Sequence, residues 1–271
     1  MKRSLHIGIN DYPGTNSDLS GCVNDANDWL AALDARGFQT TLLVDGQATK
    51  SKMQETIATL IGETGRDDIG VITFSGHGTW VPDDNSDEPD GRDEALCPYD
   101  INEGHVLIDD ELYELFCERK RGARIILISD SCHSGTVTRM ADILPGTRTR
   151  SGLAQKIRFL APEIFLKGDK ERLVRARQVE NMRAHAKIRA AAVLMAGCKD
   201  NEYSYDANFN GRPNGAFTFV ALKALEQLPV NATYKEWLQK IRQSLPHVQY
   251  PQTPQLSGSY EQRCKWLVFS E

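Results

Sequence analysis

The sequence predicts an α/β layer sandwich, in which a mainly parallel sheet lies between layers of helices. Short apolar runs typical of buried strands alternate with segments whose apolar residues recur every three or four positions, as in amphipathic helices. The clearest strand candidate, residues 124–129, reads Arg-Ile-Ile-Leu-Ile-Ser, which is typical of a strand buried on both faces of a parallel sheet. The chain has 271 residues, of which 40% are hydrophobic and 25% charged, so one domain with a sizeable core is expected.

The elements follow in a regular order through the first half of the chain. Strands are predicted at residues 5–10, 40–44, 71–74 and 124–129, and helices at residues 24–33, 49–61 and 109–117. The second half is predicted to hold a strand at 191–196, a polar loop at 199–214, helices at 216–228 and 234–245, and a last strand at 266–269. Between the halves, residues 136–190 change from a Gly, Pro, Arg and Thr composition to charged helix formers, which indicates an insertion or linker.

Charge is distributed unevenly along the chain. Residues 136–190 hold thirteen Lys or Arg against five Asp or Glu, a net charge of +8, so the rest of the chain carries −13 within a total of −5. This acidic remainder disfavours nucleic acid as the main partner and suits cations or basic peptides. The basic stretch is equally consistent with a solvated helix face.

The sequence also bears on compartment and thiol chemistry. No run of 18 apolar residues is present, and the amino terminus leads directly into a strand-like segment, so a cytoplasmic protein without a membrane partner is expected. The cysteines lie far apart and form no C-x-x-C pair, which favours free thiols, one of them reactive. They are Cys22, Cys97, Cys117, Cys132, Cys198 and Cys264.

Two segments share an unusual form, a buried strand that ends in small residues around a reactive side chain. Residues 74–79 read Phe-Ser-Gly-His-Gly-Thr around His77, and residues 129–135 read Ser-Asp-Ser-Cys-His-Ser-Gly around Cys132. Ligands of open α/β sheets bind beyond the carboxyl ends of the strands, so both side chains can face one cleft. A thiol beside an imidazole is sufficient equipment for acyl transfer, and the amides of Gly78 and Cys132 are candidates for an oxyanion hole. A packed core cysteine and a histidine satisfied at a strand end remain the alternative.

The motifs Ser-Gly-His-Gly and Asp-Ser-Cys-His-Ser-Gly resemble the signature of metacaspases and their bacterial relatives, the orthocaspases, within the caspase-like peptidases. Further matching motifs lie at residues 21–26, 90–94, 108–110, 196–200 and 252–257, so the resemblance covers nearly the whole chain. It implies a three-layer caspase-like sandwich with a central, mainly parallel six-stranded sheet, and His77 and Cys132 as a catalytic dyad. The motif differs from the Gln-Ala-Cys-x-Gly of animal caspases, which argues against Asp specificity.

The resemblance also implies how a substrate is recognised. Metacaspases bind a basic side chain at the cleavage position, and their pocket residues correspond to Asp25, Ser75 and Asp130, with Cys22 alongside. An arginine guanidinium has five donors and no acceptor, so two carboxylates and a hydroxyl match it. Taken singly, Asp25 is also explained as a charge at a helix N-terminus and Asp130 as a turn former after a strand.

Calcium activation is common in the family, and the positions similar to its ligands are Asp93, Asp109 and Asp110. Three carboxylates with carbonyls and waters suit calcium, and no organic cofactor is expected. The sequence departs from the family pattern after the nucleophile, where Arg139 stands at an expected acidic ligand and Asp142 is the nearest substitute. A solvated acidic loop is the alternative for residues 83–94, which lack EF-hand spacing.

The resemblance divides the single domain into a large-subunit-like half at residues 1–138, a basic insertion at 139–190 and a small-subunit-like half at 191–271. Many family members cut themselves between the halves, and the candidate positions include Arg139, Arg148, Arg150 and Lys156. Cys198 is interpreted as structural, and His133 is expected to point away from the nucleophile.

The prediction is therefore a cysteine endopeptidase that cuts protein or peptide substrates after Arg or Lys and acts as a monomer. Two rivals stay open. One is a catalytically silent caspase-like protein that binds peptides, and the other is an Asp-specific caspase-like protease. Acidic residues at the pocket would repel an aspartate substrate, which disfavours the second rival.

Overall fold

The computed structural model describes residues 1–82, 92–132, 156–169 and 192–270. Within these ranges the strands are β1 Lys2–Gly8, β2 Gln39–Val44, β3 Ile69–Ser75, β4 Gly78–Pro82, β5 Arg92–Leu96, β6 Leu107–Ile108, β7 Arg124–Asp130, β8 Lys156–Ile157, β9 Val193–Ala196, β10 Tyr205–Phe209, β11 Arg212–Gly215 and β12 Gln255–Ser257. The α-helices are α1 Cys22–Asp34, α2 Lys50–Glu63, α3 Asp109–Cys117, α4 Pro162–Phe165, α5 Ala216–Glu226, α6 Tyr234–Ile241 and α7 Tyr260–Cys264.

The centre of the fold is a six-stranded sheet in the order β12-β9-β7-β3-β1-β2. Every neighbouring pair in it is parallel except β9 and β12, which run antiparallel. Strands β3 and β7 are almost entirely buried, as expected for strands covered on both faces. The predicted α/β class, with a mainly parallel six-stranded sheet, is confirmed.

Helices cover both faces of this sheet and complete the three layers. On one face, α1, α5 and α6 pack on the sheet through a cluster that includes Trp29, Phe217 and Trp237. On the other face, α2 and α3 contribute Ile57 and Phe116 to a second cluster. No helix in the described part of the chain is long and apolar enough to cross a membrane.

Two small three-stranded sheets lie outside the central one, in the orders β4-β5-β6 and β11-β10-β8. The second contains a hairpin where the sequence analysis predicted a polar loop, so that prediction is wrong for residues 205–214. Asn210 and Gly211 form a two-residue turn with φ of 55° and 87°, and Phe209 pairs with Arg212 across it. Asn-Gly with positive φ at both residues is the preferred turn of a tight hairpin.

The predicted last strand at residues 266–269 is also wrong. Only Leu267 forms a bridge there, to Thr233, and the edge next to β9 is taken by β12 instead. Phe269 has a φ of 55° and packs edge-on against Trp29 and Trp237, with ring centroids 6.4 and 5.4 Å apart. Aromatic packing onto the helices thus replaces strand pairing for this apolar run.

Part of the stretch predicted as an insertion belongs to the body of the protein. Strand β8 pairs antiparallel with β10, and the chain then runs along β4 into α4. Phe159, Leu160 and Phe165 are all buried. The remaining residues of the predicted insertion lie outside the described ranges.

Candidate active site

The sheet brings His77 and Cys132 to one edge. Strands β3 and β7 are parallel neighbours, and Ser75 at the end of one is in register with Asp130 at the end of the other. Each candidate residue stands two positions beyond its strand, at the carboxyl edge where ligands of such sheets bind. Both side chains are buried.

His77 is held in one orientation and one tautomer. Its Nε2 lies 2.6 Å from the carbonyl oxygen of Ser17, its backbone N–H donates to the Tyr12 hydroxyl at 2.7 Å, and its ring packs against the Tyr12 ring. A carbonyl oxygen only accepts, so Nε2 carries the hydrogen and Nδ1 keeps its lone pair. Nδ1 has no hydrogen-bond partner among the described residues. Burial lowers the pKa of His77 to about 4, so the imidazole is neutral above that pH.

The Cys132 thiol contacts the backbone of Ser204. Its Sγ accepts from the Ser204 N–H at 2.5 Å and lies 3.5 Å from the Ser204 carbonyl oxygen, to which it donates. Within the described ranges, no hydrogen bond joins this sulfur to His77. The thiol of Cys198 donates to the carbonyl oxygen of Ser131 at 3.7 Å, and the neighbouring Cys132 thiol, together with burial, raises the pKa of Cys198 well above its usual value.

Two backbone amides converge on one carbonyl oxygen beside the thiol. The N–H of Gly78 donates to the carbonyl oxygen of Arg158 at 3.0 Å, and the N–H of Cys132 donates to the same oxygen at 3.1 Å. Both donors lie within the distance at which oxyanion-hole amides act. These are the two amides that the sequence analysis selected.

The Arg158 side chain fills an acidic pocket formed by Asp25, Asp130 and Asp206. Its Nη2 lies 2.7 Å from the carboxylate of Asp25 and 3.1 Å from that of Asp206. Its Nη1 lies 3.1 Å from both the carboxylate and the backbone oxygen of Asp130. Arg158 is fully buried, at 0% exposure, so the whole guanidinium is enclosed by protein.

Each carboxylate of the acidic pocket also accepts hydrogen bonds from fixed donors, most of them backbone amides. The donors are the side chain of Asn214 and the N–H of Gly215 for Asp25, the N–H and hydroxyl of Thr218 and the hydroxyl of Ser204 for Asp130, and the N–H groups of Ser20 and Gly21 for Asp206. The carboxylates are therefore positioned by the protein frame as well as by the guanidinium. Such preorganisation lowers the cost of binding a cation there.

In the acidic pocket, burial and neighbouring charges shift the pKa values of Arg158 and Asp25. Burial alone would lower the pKa of Arg158, but attraction to the three aspartates raises it well above its usual value. Burial raises the pKa of Asp25 to about 6, the Arg158 guanidinium opposes that rise, and Asp130 adds to it. One cation facing three carboxylates leaves the pocket with an excess of negative charge, which suits it to positively charged side chains.

Gly215 forms one wall of the acidic pocket. A Cβ atom at this position would lie 2.5 Å from Nη1 and 2.7 Å from Cζ of Arg158, and would also overlap the Asp130 carboxylate. The backbone of Gly215 is extended, with φ of −67°, which any residue can adopt. Glycine is therefore needed here because there is no room for a side chain.

Of the four residues predicted to bind the substrate side chain, Asp25 and Asp130 contact the guanidinium. Cys22 and Ser75 are buried close by but donate or accept no hydrogen bond with Arg158 within the described ranges. Burial raises the pKa of the Cys22 thiol well above its usual value, so it is protonated.

The sequence analysis did not identify several residues of the site, among them Ser17, Arg158, Asp206 and Gly215. Asp206 stands in a segment that alternates apolar and polar residues, Tyr-Asp-Ala-Asn-Phe, which is a strand signal next to the Asn-Gly turn. Arg158 stands between apolar residues, in Ile-Arg-Phe-Leu, inside an otherwise polar and basic stretch. Both signals were available in the sequence.

The three residues predicted to bind calcium come from neighbouring elements, and calcium binding by them stays a prediction. Asp93 lies on β5, and Asp109 and Asp110 open α3 directly after β6. Each of the three has a partner within the protein. Across the described ranges, no group of three or more His, Cys, Asp or Glu side chains is arranged to hold a metal ion. Arg139 and Asp142 lie outside those ranges, and no chemical step is assigned to calcium here.

Comparison with solved structures first defines the class of fold. Caspase-1 from Spodoptera frugiperda superimposes with a TM-score of 0.61 at 12% identity, covering 100% of this chain and 92% of that one, which establishes a caspase-like fold. Protein GSU0716 from Geobacter sulfurreducens superimposes with a TM-score of 0.74 at 30% identity, covering 99% of this chain and 98% of that one.

Sequence comparison then gives the family. The profile of the Caspase domain family matches residues 1–264, so the chain belongs to that family. It is 31% identical to Metacaspase-1 of Scheffersomyces stipitis, over 96% of this chain and 71% of that protein. It is 32% identical to Metacaspase-1B of Aspergillus fumigatus, over 96% and 70%. The protein is thus a cysteine-type peptidase, a hydrolase.

Proposed function

We propose that the protein is an endopeptidase that cuts after Arg, and less efficiently after Lys, with Cys132 as nucleophile and His77 as its proton-transfer partner. One observation carries the proposal: a buried Arg158 holds its guanidinium in the acidic pocket while its carbonyl oxygen accepts from Gly78 and Cys132. The side chain of Arg158 thus lies where the arginine side chain of a substrate would bind. Its carbonyl oxygen lies where the carbonyl oxygen of the bond to be cut would bind.

The proposed chemistry uses Cys132, His77 and two backbone amides at this edge of the sheet. The Cys132 thiol turns from Ser204 toward the carbonyl carbon and gives its proton to Nδ1 of His77, whose tautomer is fixed by Ser17. The amides of Gly78 and Cys132 stabilise the oxyanion of the tetrahedral intermediate. His77 then protonates the leaving amine, and water attacks the thioester to release the acid.

The shape of the acidic pocket favours Arg over Lys. Separate nitrogens of one planar guanidinium reach Asp25 and Asp206 on one side and Asp130 on the other. A lysine ammonium is a single compact donor centre and cannot bridge both sides. An aspartate side chain would meet three carboxylates, so the rival Asp specificity is strongly disfavoured.

The test is a set of fluorogenic peptides that differ only in the residue before the cut, Arg, citrulline, Lys or Asp. Citrulline keeps the shape of Arg but lacks its charge, so it isolates the electrostatic part. We expect kcat/KM in the order Arg, Lys, citrulline, Asp, with all cleavage lost in Cys132→Ala and His77→Ala. Cys117→Ala, which changes an exposed thiol at the end of α3, is the matched control. Equal cleavage of the Arg and Asp peptides would overturn the specificity, and cleavage by Cys132→Ala would overturn the nucleophile.

Calcium activation and a monomeric state stay predictions. Calcium dependence is tested by adding chelator to the peptide assay, and the monomer by sedimentation of the intact chain. Self-processing, also predicted, gains a specific position from the contacts of Arg158.

A further inference from the structure

We infer that residues 156–161, the cleft segment, are a substrate built into the protein's own active site, and that the Arg158–Phe159 peptide bond is the bond cut in self-processing. Until that bond is cut, the cleft segment keeps other peptides out of the acidic pocket. The inference rests on the proposed function, since it assigns the first substrate of the same site.

Residues 156–158, which precede the Arg158–Phe159 bond, are bound in an extended conformation, as a substrate peptide would be. Lys156 and Ile157 pair antiparallel with Asp206 and Tyr205 on β10, and the N–H of Arg158 donates to the carbonyl oxygen of Ser204 at 2.9 Å. Addition of a strand to an exposed sheet edge is a general way to bind extended peptides. The ladder fixes the register that places Arg158, and not its neighbours, at the acidic pocket.

Lys156, the basic residue of this segment that the sequence analysis named as a cut site, is placed differently. Its Nζ is exposed and donates to the carbonyl oxygen of Asp18 at 2.8 Å. It therefore reaches neither the acidic pocket nor the oxyanion amides. The other named candidates, Arg139, Arg148 and Arg150, lie outside the described residues.

The part of the cleft segment after the bond is bound by apolar burial and by the backbone of β4. The N–H of Leu160 donates to the carbonyl oxygen of Gly78 at 3.0 Å, and the Thr79 hydroxyl donates to the carbonyl oxygen of Leu160 at 2.6 Å. Leu160 is fully buried and, with Phe165, belongs to the main hydrophobic cluster. Burial of these apolar side chains therefore holds this part of the cleft segment in place.

The two halves therefore respond differently to cleavage. Phe159 and Leu160 stay in the body of the protein because their apolar side chains remain buried, whereas Lys156 to Arg158 are held chiefly by polar contacts, and the side chains of Lys156 and Ile157 are exposed and half-buried. The new amine of Phe159 remains beside the thioester, so reversal competes with hydrolysis and the cut proceeds slowly. Release of the half that ends at Arg158 then opens the acidic pocket to other chains.

The covalent steps follow the proposed mechanism with water as the only added reactant. Cys132 Sγ bonds to the Arg158 carbonyl carbon, the bond from that carbon to the Phe159 nitrogen breaks, and the thiol proton passes through His77 to that nitrogen. Water then attacks the thioester, one of its protons returns through His77 to Cys132, and Arg158 ends as a free carboxylate. The products are a fragment ending at Arg158 and a fragment beginning at Phe159.

The first arm of the test follows the purified full-length chain with time by intact mass and amino-terminal sequencing. We expect a fragment that begins at Phe159 in the wild type, and none in Cys132→Ala or Arg158→Gln. Because the segment lies in the cleft of its own chain, the rate is expected to be first order and independent of protein concentration. Lys167→Gln, which removes an exposed basic residue of the same region, is expected to be cut like the wild type.

The second arm needs no catalysis and measures binding of a fluorescent peptide ending in Arg to uncuttable chains. An intramolecular ligand competes at a high effective concentration, so Cys132→Ala alone is expected to bind weakly. Adding Arg158→Gln should tighten binding at least about tenfold, while adding Lys167→Gln should leave it unchanged.

The two arms separate failure of the inference from failure of the proposed function. Cleavage of arginyl peptides with the Arg158–Phe159 bond intact throughout would overturn the bond assignment. Equal peptide binding with and without Arg158→Gln would overturn occupancy of the acidic pocket by Arg158. If no variant cleaves any peptide, the proposed function fails, and the binding arm still decides whether Arg158 blocks the pocket.

Discussion

Two sets of three aspartates in this protein are arranged differently. Asp25, Asp130 and Asp206 come from distant parts of the chain and converge on one buried guanidinium. Asp93, Asp109 and Asp110 lie closer in sequence, but among the described residues no group of three or more His, Cys, Asp or Glu side chains is arranged to hold a metal ion, and calcium binding there stays a prediction. The acidic pocket is organised by the ends of β7 and β10 and by the first turn of α1, so its carboxylates must face one another.

A cluster of acidic residues in a sequence does not by itself define a binding site. What makes the first set a pocket is that its oxygens accept from fixed donors and enclose a complementary cation. We therefore expect substitutions in the first set to change specificity strongly, and substitutions in the second set to change it little.

The largest effect is expected for Asp130→Asn. This side chain contacts the guanidinium and accepts from the amide and hydroxyl of Thr218, so its loss removes one partner of a buried ion pair. Removal of one such partner costs about 3–5 kcal/mol, which corresponds to about a thousandfold lower kcat/KM for arginyl peptides. Asp110→Asn is the matched control from the second set. A similar loss in both variants would erase the distinction between the two sets.

Gly215→Ala is expected to reduce cleavage after Arg about a hundredfold, because the new Cβ would occupy the space of the guanidinium. The same change should weaken the hold on Arg158. Gly62→Ala in α2, where a Cβ would meet nothing within 4 Å, serves as the control. The measurement is steady-state kinetics with the Arg peptide. Unaltered activity in Gly215→Ala would show that this glycine does not line the pocket.

Acidity should weaken substrate binding through Asp25. Its pKa is raised to about 6 by burial, so as pH falls below that value the carboxylate takes up a proton and loses its attraction for a guanidinium. His77, with a pKa lowered to about 4, stays neutral over the same interval. We expect KM for arginyl peptides to rise several-fold between pH 7 and pH 5 in the wild type, with kcat nearly constant.

The Asp25→Asn variant provides the comparison for this pH dependence. Its KM should be high and flat over the same interval, because the amide does not titrate. If KM rises equally on acidification in wild type and in Asp25→Asn, a group other than Asp25 causes the pH dependence.

Asp206→Asn tests the preference for Arg over Lys. Asp206 shares Nη2 of the guanidinium with Asp25, and a charge-assisted hydrogen bond of this kind contributes about 1.5–3 kcal/mol. The ratio of kcat/KM for Arg to that for Lys should therefore fall about tenfold. If kcat/KM for the Arg and Lys peptides falls equally and their ratio stays the same, Asp206 stabilises the structure of the pocket but does not distinguish Arg from Lys.

The smallest effect on specificity is expected in the second set. Asp109→Ala combined with Asp110→Ala should leave the preference for Arg unchanged and raise the calcium concentration needed for activity. Titration of calcium into chelator-treated protein measures this directly. An identical calcium response in wild type and variant would remove these residues from the calcium hypothesis.

The sequence predicted the central sheet and its edge well because these depend on local patterns. The apolar runs that become β3 and β7 are long and nearly uninterrupted, and the Gly and Ser residues after them mark where the strands end. Parallel pairing then brings His77 and Cys132 together without further information. Asp25 was found through the family resemblance, since its own position in α1 is also typical of an ordinary helix start.

The rest depends on contacts between distant residues that no local pattern encodes. Asp206 and Arg158 are 48 positions apart and meet only because β8 pairs with β10. Residues 205–214 were predicted as a loop because they contain many polar side chains, two of which, Asp206 and Asn214, contact the acidic pocket. Phe269 shows the reverse case, in which an apolar run typical of a strand is instead held by aromatic packing.

The measurement that tests the central claim most directly is the identity of the residue before each cut when the protein digests a mixture of unfolded natural proteins. Mass spectrometry of the new amino termini reads this residue without any choice of substrate. If the acidic pocket receives the substrate side chain as it holds Arg158, nearly all cuts will follow Arg, with a minority after Lys. Cuts that follow Asp, or that follow basic residues no more often than their abundance, would contradict the account.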